Sequence, residues 1–293
     1  MGARTLSARL APWLLAACAL LGAPALAYGV RDAQGRTVEF DRVPQRIVSL
    51  LPSVTESLCA LGGCARLVGV DAFSNHPPEV SALPRLGKST TLSIEAIVRL
   101  RPDVVLMAYS PPLMAQLAQF GIPVLALDAH DMAGLRAQWR TLDALLQQQR
   151  AEALSARLQA GVERVAQSAR AHAGASVYFE VDATPYAAGP SSFIGELLGQ
   201  LGARNIVAPA LGPFPRLSPE YVVRQDPQII IHTPETPAAA FAQRPGWRSI
   251  AAVRNGRICT LGAAEVDLVS RPGPRLDQAA QVLARCLAPV ARP

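Results

Sequence analysis

The chain has 293 residues, of which 50% are hydrophobic, and a formal net charge of +6. This length and composition are sufficient for one large or two ordinary domains with sizeable cores, and they exclude a disordered chain. The basic residues are scattered rather than arranged in a stripe, so the charge does not indicate a nucleic-acid-binding protein.

Residues 1–27 differ from the rest of the chain. Two arginines precede an apolar run that ends in Ala25-Leu26-Ala27, the small-x-small pattern of a secretory cleavage site. We predict a signal peptide over 1–27 and a periplasmic mature chain of net charge +4 (26 basic against 22 acidic residues). The alternative is a lipoprotein cleavage box that ends at Cys18, which would leave this cysteine acylated. No later run is long enough to span a membrane.

Four cysteines remain in the predicted mature chain: Cys59, Cys64, Cys259 and Cys286. An oxidising compartment permits two disulfides, and Cys59–Cys64 with Cys259–Cys286 is the simplest of the three possible pairings. Free buried thiols are the alternative. A zinc site is disfavoured, because no two cysteines have CxxC spacing and no histidine lies near them in sequence.

Strands and helices alternate in the first half of the mature chain. The pattern predicts a hairpin over 30–40, strands over 46–51, 67–70, 104–107 and 124–127, and helices over 93–100 and 113–120. A further helix is expected to begin after the first of these strands, with Ser53 as its N-cap and Glu56 closing a capping box. Such alternation is typical of an α/β sheet with parallel strands.

A proline-free stretch from Asp131 to His172 divides the chain. Its apolar residues recur at three- and four-residue spacing, with Asp131 placed to cap the start. The polar run 147–150 interrupts the pattern, so we predict a helical approach and then a helix of roughly 23 residues, about 35 Å long. A helix of that length can connect two domains.

The alternation resumes after this stretch, with predicted strands over 176–181, 229–231 and 257–261 and helices over 192–201 and 274–287. The predicted organisation is a signal peptide (1–27), an N-terminal α/β lobe (28–130), a helical connection (131–174) and a C-terminal α/β lobe (175–293). A ligand is expected in the cleft where strand ends of the two lobes meet.

Several segments resemble the helical-backbone metal-complex receptors. They are Arg46–Leu50 with Pro52-Ser53 and Thr55-Glu56, Leu67–Val70, Leu100–Val105 and Arg271–Arg275. These receptors are class III periplasmic binding proteins of ABC importers for cobalamin, haem and ferric siderophores. The resemblance covers nearly all of the mature chain. It implies two Rossmann-like α/β lobes joined by one long, rigid backbone helix.

The cobalamin-binding members of this family give the best resemblance. By position, it implies that Phe73 and Phe214 contact a corrinoid. It also implies that all five residues of the loop Asp267-Leu268-Val269-Ser270-Arg271 face the ligand, and that the first and last of them hydrogen-bond the corrinoid edge. A flat macrocycle needs apolar faces and a few directed polar groups at its rim. The alternatives are core packing for the two phenylalanines and a surface salt bridge for Asp267 with Arg271.

Two tryptophans of the cobalamin-binding members correspond here to Ser89 and Ala108. We expect Tyr109 and Tyr186 to replace them, or the aromatic platform to be thinner. Haem or a ferric siderophore is therefore the alternative ligand. The disulfide inside one lobe of those members is also absent, because one of its positions is Leu201 here.

Glu95 and Glu220 each follow a serine that can cap a short helix. The resemblance implies that these glutamates, one in each lobe, dock arginines of the membrane permease. Acidic residues also stabilise helix N-termini by themselves, so a capping role is the alternative.

Other classes of function are less well supported. The sequence has no GxSxG, P-loop or dinucleotide-binding glycine motif, so we do not expect an enzyme. A receptor for free zinc or manganese would need convergent histidines, whereas His76, His130, His172 and His232 are dispersed. A signalling receptor with the same lobes remains an alternative. We expect a monomer without a cofactor of its own that carries cobalamin to the permease subunits of an ABC importer.

Overall fold

The structure is a computed structural model that describes residues 27–170, 173–182 and 186–288. Residues 1–26 of the predicted signal peptide, with Cys18, and also His172 lie outside the described residues. Within the described ranges no helix is both long and apolar enough to cross a membrane.

The N-terminal lobe is built on a four-stranded parallel sheet. A hairpin of β1 (Tyr28–Arg31) and β2 (Thr37–Phe40) precedes it. The sheet has the order β4-β3-β5-β6, with β3 (Ile47–Ser49), β4 (Leu67–Val70), β5 (Val104–Met107) and β6 (Val124–Ala126). Its helices are α1 (Pro52–Ala60), α2 (Ile94–Arg99) and α3 (Pro111–Ala118). The predicted hairpin, strands and helices of this lobe are confirmed.

The predicted start of α1 is wrong. The N-cap is Leu51, Pro52 occupies the first helical turn, and no side chain caps the helix. Proline is favoured there because its missing N–H would have no helical partner. Glu56 therefore closes no capping box, and its buried carboxylate is bound by arginines of the other lobe, as described below.

Two helices connect the lobes, α4 (Met132–Leu146) and α5 (Ala151–Ala169). The Asp131 side chain caps α4 as predicted, because it accepts a hydrogen bond from the N–H of Gly134 at 2.6 Å. The predicted break lies at Gln147, which adopts the left-handed conformation that ends α4. The backbone helix α5 has 19 residues, about 28 Å at 1.5 Å per residue, and is shorter than predicted.

The C-terminal lobe repeats the architecture of the first. Its parallel sheet has the order β10-β9-β7-β8, with β7 (Ser176–Glu180), β8 (Arg204–Asn205), β9 (Ile229–His232) and β10 (Ile258–Thr260). Its helices are α6 (Phe193–Gln200), α7 (Pro219–Gln225), α8 (Ala238–Phe241), α9 (Ala251–Arg254), α10 (Ala263–Val269) and α11 (Leu276–Leu287). The sequence patterns did not predict β8, α8, α9 or α10.

In both four-stranded sheets the strand that comes first in sequence, β3 or β7, lies between the second and the third. The chain therefore continues from β3 to one side of the sheet and later returns to its other side, and the same holds for β7. Such a reversal of strand order creates a crevice at the carboxyl ends of these strands. The fold predicted from the sequence, two α/β lobes joined by a backbone helix, is confirmed. The exact residues at which we divided the lobes, 130 and 174, remain a prediction.

One cluster of buried apolar residues runs through both lobes. It extends from Ile47 and Leu106 in the N-terminal sheet through Trp139 of α4 and Leu158 of α5 to Ile231 in the C-terminal sheet. The helix α5 packs along α11, and a Cβ added at Gly161 would lie 2.7 Å from the Cβ of Asp277. Glycine at this position is what permits the close approach of the two helices. The lobes are therefore joined by packing as well as by the helical connection of α4 and α5.

Candidate ligand cleft

A cavity of about 470 Å³ lies between the lobes, at the carboxyl ends of β3, β5, β6 and β7. Its lining residues are Leu51, Pro52, Ser53, Phe73, Ala108, Leu127, Asp128, Ala129, His130, Gln138, Val181, Phe193, Ile194, Phe214, Asp267, Ser270, Arg271 and Pro272. A larger hollow of about 910 Å³ lies beside Cys59, Arg157 and Arg275, but its lining includes only the amino end of β4, at Leu67, and no carboxyl end of a strand in the described chain. The position at the strand ends selects the first cavity as the candidate ligand cleft.

Phenylalanines form the apolar walls of the cleft. Phe193 and Phe214 pack edge to face in the C-terminal lobe, with ring centroids 6.2 Å apart. Phe73 lines the cavity from the N-terminal lobe and is 53% exposed, which is unusual for an aromatic side chain that serves only packing. Phe73 and Phe214 thus both line the cavity, and their contact with a ligand remains a prediction.

Two other predicted aromatic residues are not among those that line the cavity. Tyr109 and Tyr186 are exposed, at 49% and 41%, but neither contributes to the lining in this structure. The same holds for Ser89, whereas Ala108 lines the cavity. A contact between either tyrosine and a ligand remains a prediction.

The segment 267–271 is not the loop that the sequence suggested. Residues 263–269 form α10, so Asp267, Ser270 and Arg271 share one face at i, i+3 and i+4 spacing and line the cavity. Val269 is buried in the core, and Leu268 packs against that core. The prediction that Leu268 and Val269 face the ligand is wrong, because a helix turns them away from the face that carries the other three residues.

Arg271 is buried, and both of its terminal nitrogens are engaged. One of its terminal nitrogens donates to Glu56 Oε1 at 2.9 Å and to Asn75 Oδ1 at 2.8 Å. The other donates to the Phe73 carbonyl at 3.1 Å and lies 2.6 Å from Asp267 Oδ1. The pair of Asp267 with Arg271 is therefore part of a network that spans the lobes, in which Arg271 is buried and Asp267 is partly exposed, and is not an isolated surface salt bridge.

The network is completed by one amide and a second arginine. Asn75 Nδ2 donates to Asp267 Oδ2 at 2.8 Å, so the Asn75 side chain contacts both members of the Asp267–Arg271 pair. Arg275 grips Glu56 with two hydrogen bonds of 2.8 Å and 2.6 Å. We call Glu56, Asn75, Asp267, Arg271 and Arg275 the interlobe cluster. The negative charges of Glu56 and Asp267 balance the positive charges of Arg271 and Arg275.

The family follows from a comparison with known proteins. A sequence profile of the periplasmic binding protein family matches residues 47–265, which include both sheets and the backbone helix. The chain belongs to the periplasmic binding protein family. This periplasmic binding protein is therefore an extracytoplasmic solute-binding protein of the kind that serves ABC importers, and its family is a transport-associated class rather than a class of enzymes.

Similar proteins match over most of their length. The uncharacterized ABC transporter substrate-binding lipoprotein YvrC of Bacillus subtilis is 29% identical, over 89% of this chain and 85% of that protein. The vitamin B12-binding protein of Pectobacterium carotovorum subsp. carotovorum is 30% identical, over 82% and 87%. A solved periplasmic heme-binding protein from Pseudomonas aeruginosa has a TM-score of 0.70 and 29% identity, over 85% and 95%. These names indicate two different ligands among proteins that have similar sequence identity to this chain.

The cleft of this periplasmic binding protein includes two groups that the sequence reasoning missed. His130 follows β6, and its Nε2 lies 3.0 Å from Asp128 Oδ2, while its carbonyl accepts the N–H of Phe193 from the other lobe. Gln138 lines the cavity from α4. It stands on the buried face with Leu135, Trp139 and Leu142, and a polar residue at such a position was a detectable signal.

Both predicted docking glutamates lie at exposed helix N-termini, one in each lobe. Ser93 caps α2, and its hydroxyl donates to Glu95 at 3.2 Å. Ser218 caps α7, and hydrogen bonds from the backbone N–H of Glu220 and from the Ser218 hydroxyl lower the pKa of the Glu220 carboxyl. Both carboxylates are available to an arginine from outside, and their role in docking remains a prediction.

Two disulfides lie in the described chain, Cys59–Cys64 and Cys259–Cys286, in the pairing that the sequence made simplest. The first joins the end of α1 to the turn before β4, and the second joins β10 to α11. Among the residues that the structure describes, no group of three or more histidine, cysteine, aspartate or glutamate side chains is placed to hold a metal ion.

Proposed function

We propose that this periplasmic binding protein binds a corrinoid in the interlobe cleft and delivers it to the permease subunits of an ABC importer. The proposal rests on the cleft itself, which has phenylalanines on both sides together with polar side chains such as Asp267, Ser270 and Gln138. A corrinoid offers apolar ring faces and a rim of amide side chains. A relative at 30% identity that is named a vitamin B12-binding protein gives further support.

The test is a calorimetric titration of the mature protein with cyanocobalamin and, separately, with haem. We expect cyanocobalamin to bind more tightly. Phe73→Ala should weaken binding by roughly 1.5–3 kcal/mol, the range for burying such a ring. Phe120→Ala is the matched control, because Phe120 is an equally exposed aromatic residue on the N-terminal lobe that does not line the cleft. Tight binding of haem without binding of cyanocobalamin would contradict the proposal.

A haem receptor is the second candidate, and His130 is the observation that favours it. Histidine is a common axial ligand of haem iron, and a carboxylate bound to one ring nitrogen orients the other. Asp128 has that relation to His130. If haem is the ligand, His130→Ala should change the haem absorption spectrum and weaken binding. If a corrinoid is the ligand, the same variant should bind cyanocobalamin with unchanged affinity.

We further propose that Glu95 and Glu220 dock the two lobes onto the permease. Exposed carboxylates can form bidentate pairs with arginines, and two such pairs, one on each lobe, fix orientation better than one. The capping bonds of Ser93 and Ser218 hold the two carboxylates at the ends of short helices without covering them.

The docking proposal predicts that the double variant Glu95→Ala, Glu220→Ala keeps its affinity for the ligand but fails to stimulate the ATPase of the importer in reconstituted vesicles. Replacement of both by arginine should be worse, since like charges would then meet. The double variant Glu79→Ala, Glu163→Ala removes two other exposed glutamates and is the control. Normal transport by the first double variant would show that the two glutamates only stabilise their helices.

A further inference from the structure

Phe73 lines the cleft from the N-terminal lobe, with half of its side chain exposed to solvent. The hydrophobic effect does not hold an apolar ring in such a position, because it favours covering the ring. The backbone of Phe73 is bound instead at both of its polar groups. Its N–H donates to Asp71 Oδ2 at 2.9 Å, and its carbonyl accepts from Arg271 at 3.1 Å. These two bonds fix the direction of the Cα–Cβ bond and leave the ring only its own two torsions.

Asp71, which directly follows β4, is an unusual residue to bury. It is 4% exposed, and the ion pairs of the described chain do not include it. Its other carboxyl oxygen accepts the hydroxyl of Ser74, the first of a chain of buried hydroxyls that continues through Thr55 to Ser49. Burying an aspartate without a cation costs free energy, and an asparagine forms the same turn to the N–H two residues on without that charge. Stability alone therefore does not explain an aspartate here.

We infer that Asp71 is a positioning residue of the ligand site, which holds the Phe73 ring in the cleft before a ligand arrives. The inference rests on the proposed ligand-binding function of the cleft. A hydrogen bond to a carboxylate is about twice as strong as one between neutral groups, so an aspartate holds the Phe73 N–H more firmly than an asparagine would. A ring that is already in place loses less freedom on binding. Asp71 is not among the described residues that line the cavity, so it acts on a ligand through Phe73.

The first experiment measures hydrogen exchange of the Phe73 amide by NMR, without any ligand. Asp71→Ala should speed this exchange roughly tenfold or more, because the N–H loses a bond to a charged acceptor. Asp71→Asn restores an acceptor, so its rate should lie between those of Asp71→Ala and the wild type, and it carries the test if the alanine variant does not fold. Ser49→Ala is the matched control. It removes the hydroxyl at the far end of the same buried chain and should leave the exchange of Phe73 close to the wild-type rate.

The second experiment is a double-mutant cycle of Asp71→Ala with Phe73→Ala, measured as affinity for cyanocobalamin by calorimetry. With Phe73 present, Asp71→Ala should weaken binding roughly fivefold, about 1 kcal/mol, which is the cost of ordering one side chain on binding. With Phe73→Ala already made, the same change should have no further effect, because no ring is left to position. A residue that only stabilises the lobe would lower the melting temperature equally in both backgrounds and change the affinity in neither.

Three results would overturn the inference: a wild-type exchange rate of the Phe73 amide in Asp71→Ala, unchanged affinity of Asp71→Ala when Phe73 is present, or an equal loss of affinity in both backgrounds. If cyanocobalamin does not bind to the wild type, the corrinoid proposal fails separately, and the same cycle is measured with haem, for which the expectations are the same. The exchange experiment uses no ligand and can contradict the role of Asp71 in either case.

Discussion

Two clusters in this protein, each built around a buried glutamate, use the same chemistry in different places. In the interlobe cluster, Glu56 of the N-terminal lobe binds Arg271 and Arg275 of the C-terminal lobe. In the second cluster, which we call the C-lobe cluster, Glu180 accepts hydrogen bonds from Tyr178 and Thr236 and two from Arg244. Each glutamate is almost fully buried, at 2% and 1% exposure.

The difference lies in what each cluster holds. All residues of the C-lobe cluster belong to one lobe: Tyr178 and Glu180 lie on β7, and Thr236 and Arg244 lie before and after α8. The Arg244 guanidinium lies 4.5 Å from the centre of the Phe241 ring and 4.6 Å from that of Trp247. Burial, which is the larger cause, and the Glu180 carboxylate both raise the pKa of the Tyr178 hydroxyl. The hydroxyl therefore stays protonated and donates a hydrogen bond to Glu180. This cluster stabilises one lobe. The interlobe cluster instead contacts the cleft and fixes the Phe73 carbonyl, so it sets the geometry of the ligand site.

The largest expected effect is on the stability of the C-terminal lobe. Arg244→Ala leaves the Glu180 carboxylate buried without its ionic partner, and we expect about 3–5 kcal/mol of destabilisation in urea unfolding with the disulfides intact. Below the unfolding transition, affinity for the ligand should stay within twofold of wild type. Arg248→Ala, which removes an exposed arginine in the same region, is the control. A tenfold loss of affinity in folded Arg244→Ala would contradict the separation of the two clusters.

A substitution in the interlobe cluster should cost less stability than Arg244→Ala but should clearly weaken ligand binding. Glu56→Gln keeps the shape of the side chain but removes the charge that Arg271 and Arg275 share, and we expect about 1–3 kcal/mol of destabilisation. Affinity should fall because Arg271 no longer holds Phe73 and Asp267 in place. Paired urea and ligand titrations measure both effects, with Glu79→Gln, an exposed glutamate outside the cluster, as the control. Unchanged affinity would show that this cluster, like the other, only stabilises the fold.

Part of the pH dependence of stability should come from His232 in the C-terminal lobe. His232 is buried beside β10, where its Nδ1 lies 2.7 Å from the Thr233 carbonyl and its Nε2 lies 2.7 Å from the Thr260 hydroxyl. Burial lowers the pKa of His232 below its ordinary value of 6.5, and the nearby charge of Arg244 lowers it further. The hydrogen bond to the Thr233 carbonyl and the Glu180 carboxylate act in the opposite direction but do not outweigh burial. The unfolded chain therefore binds a proton that the folded chain does not, and stability falls as the pH drops below about 6.5.

This dependence is measured as the melting temperature between pH 8 and pH 5. His232→Gln should be less stable at pH 8 but should lose less on acidification than the wild type. His76, which lies beside the interlobe cluster, also has a pKa below its ordinary value. Burial is the larger cause and the charge of Arg275 is the next. The variant His76→Gln is therefore the comparison for His232→Gln. An equal slope for wild type and His232→Gln would show that this histidine does not carry the effect.

The comparison of the clusters also shows which features could be predicted from the sequence. The strands were predicted because a buried parallel strand is a short apolar run, as in Val104–Met107 and Ile229–His232. The helix α10 was missed because it is short and its apolar face is weak. Only three of its seven residues are apolar side chains that are buried or half-buried. The partner of Glu56 could not be predicted, since Arg271 lies 215 positions away. A local pattern contains no information about such a contact.

The smallest expected effect is a change of shape when the ligand binds. The backbone helix α5 is a continuous connection, and bending it would break hydrogen bonds of its ladder. Three further contacts oppose closure: the buried apolar cluster that runs through both lobes, the interlobe cluster, and the bond from the Phe193 N–H to the His130 carbonyl. Hinge closure in proteins needs a few residues that absorb large changes of φ and ψ. The contacts across the cleft leave little freedom for such a motion.

We therefore expect small-angle scattering curves with and without ligand to overlay, with the radius of gyration unchanged to within about 1 Å, less than a hinge closure produces. Glu56→Gln sharpens this test, because it removes one of the contacts that oppose motion while α5 stays intact. If the helix alone keeps the lobes in place, the curves of this variant should overlay as well. If the variant closes on the ligand and the wild type does not, the rigidity comes from the interlobe cluster. Closure of the wild type by more than 1 Å would refute rigidity from either source.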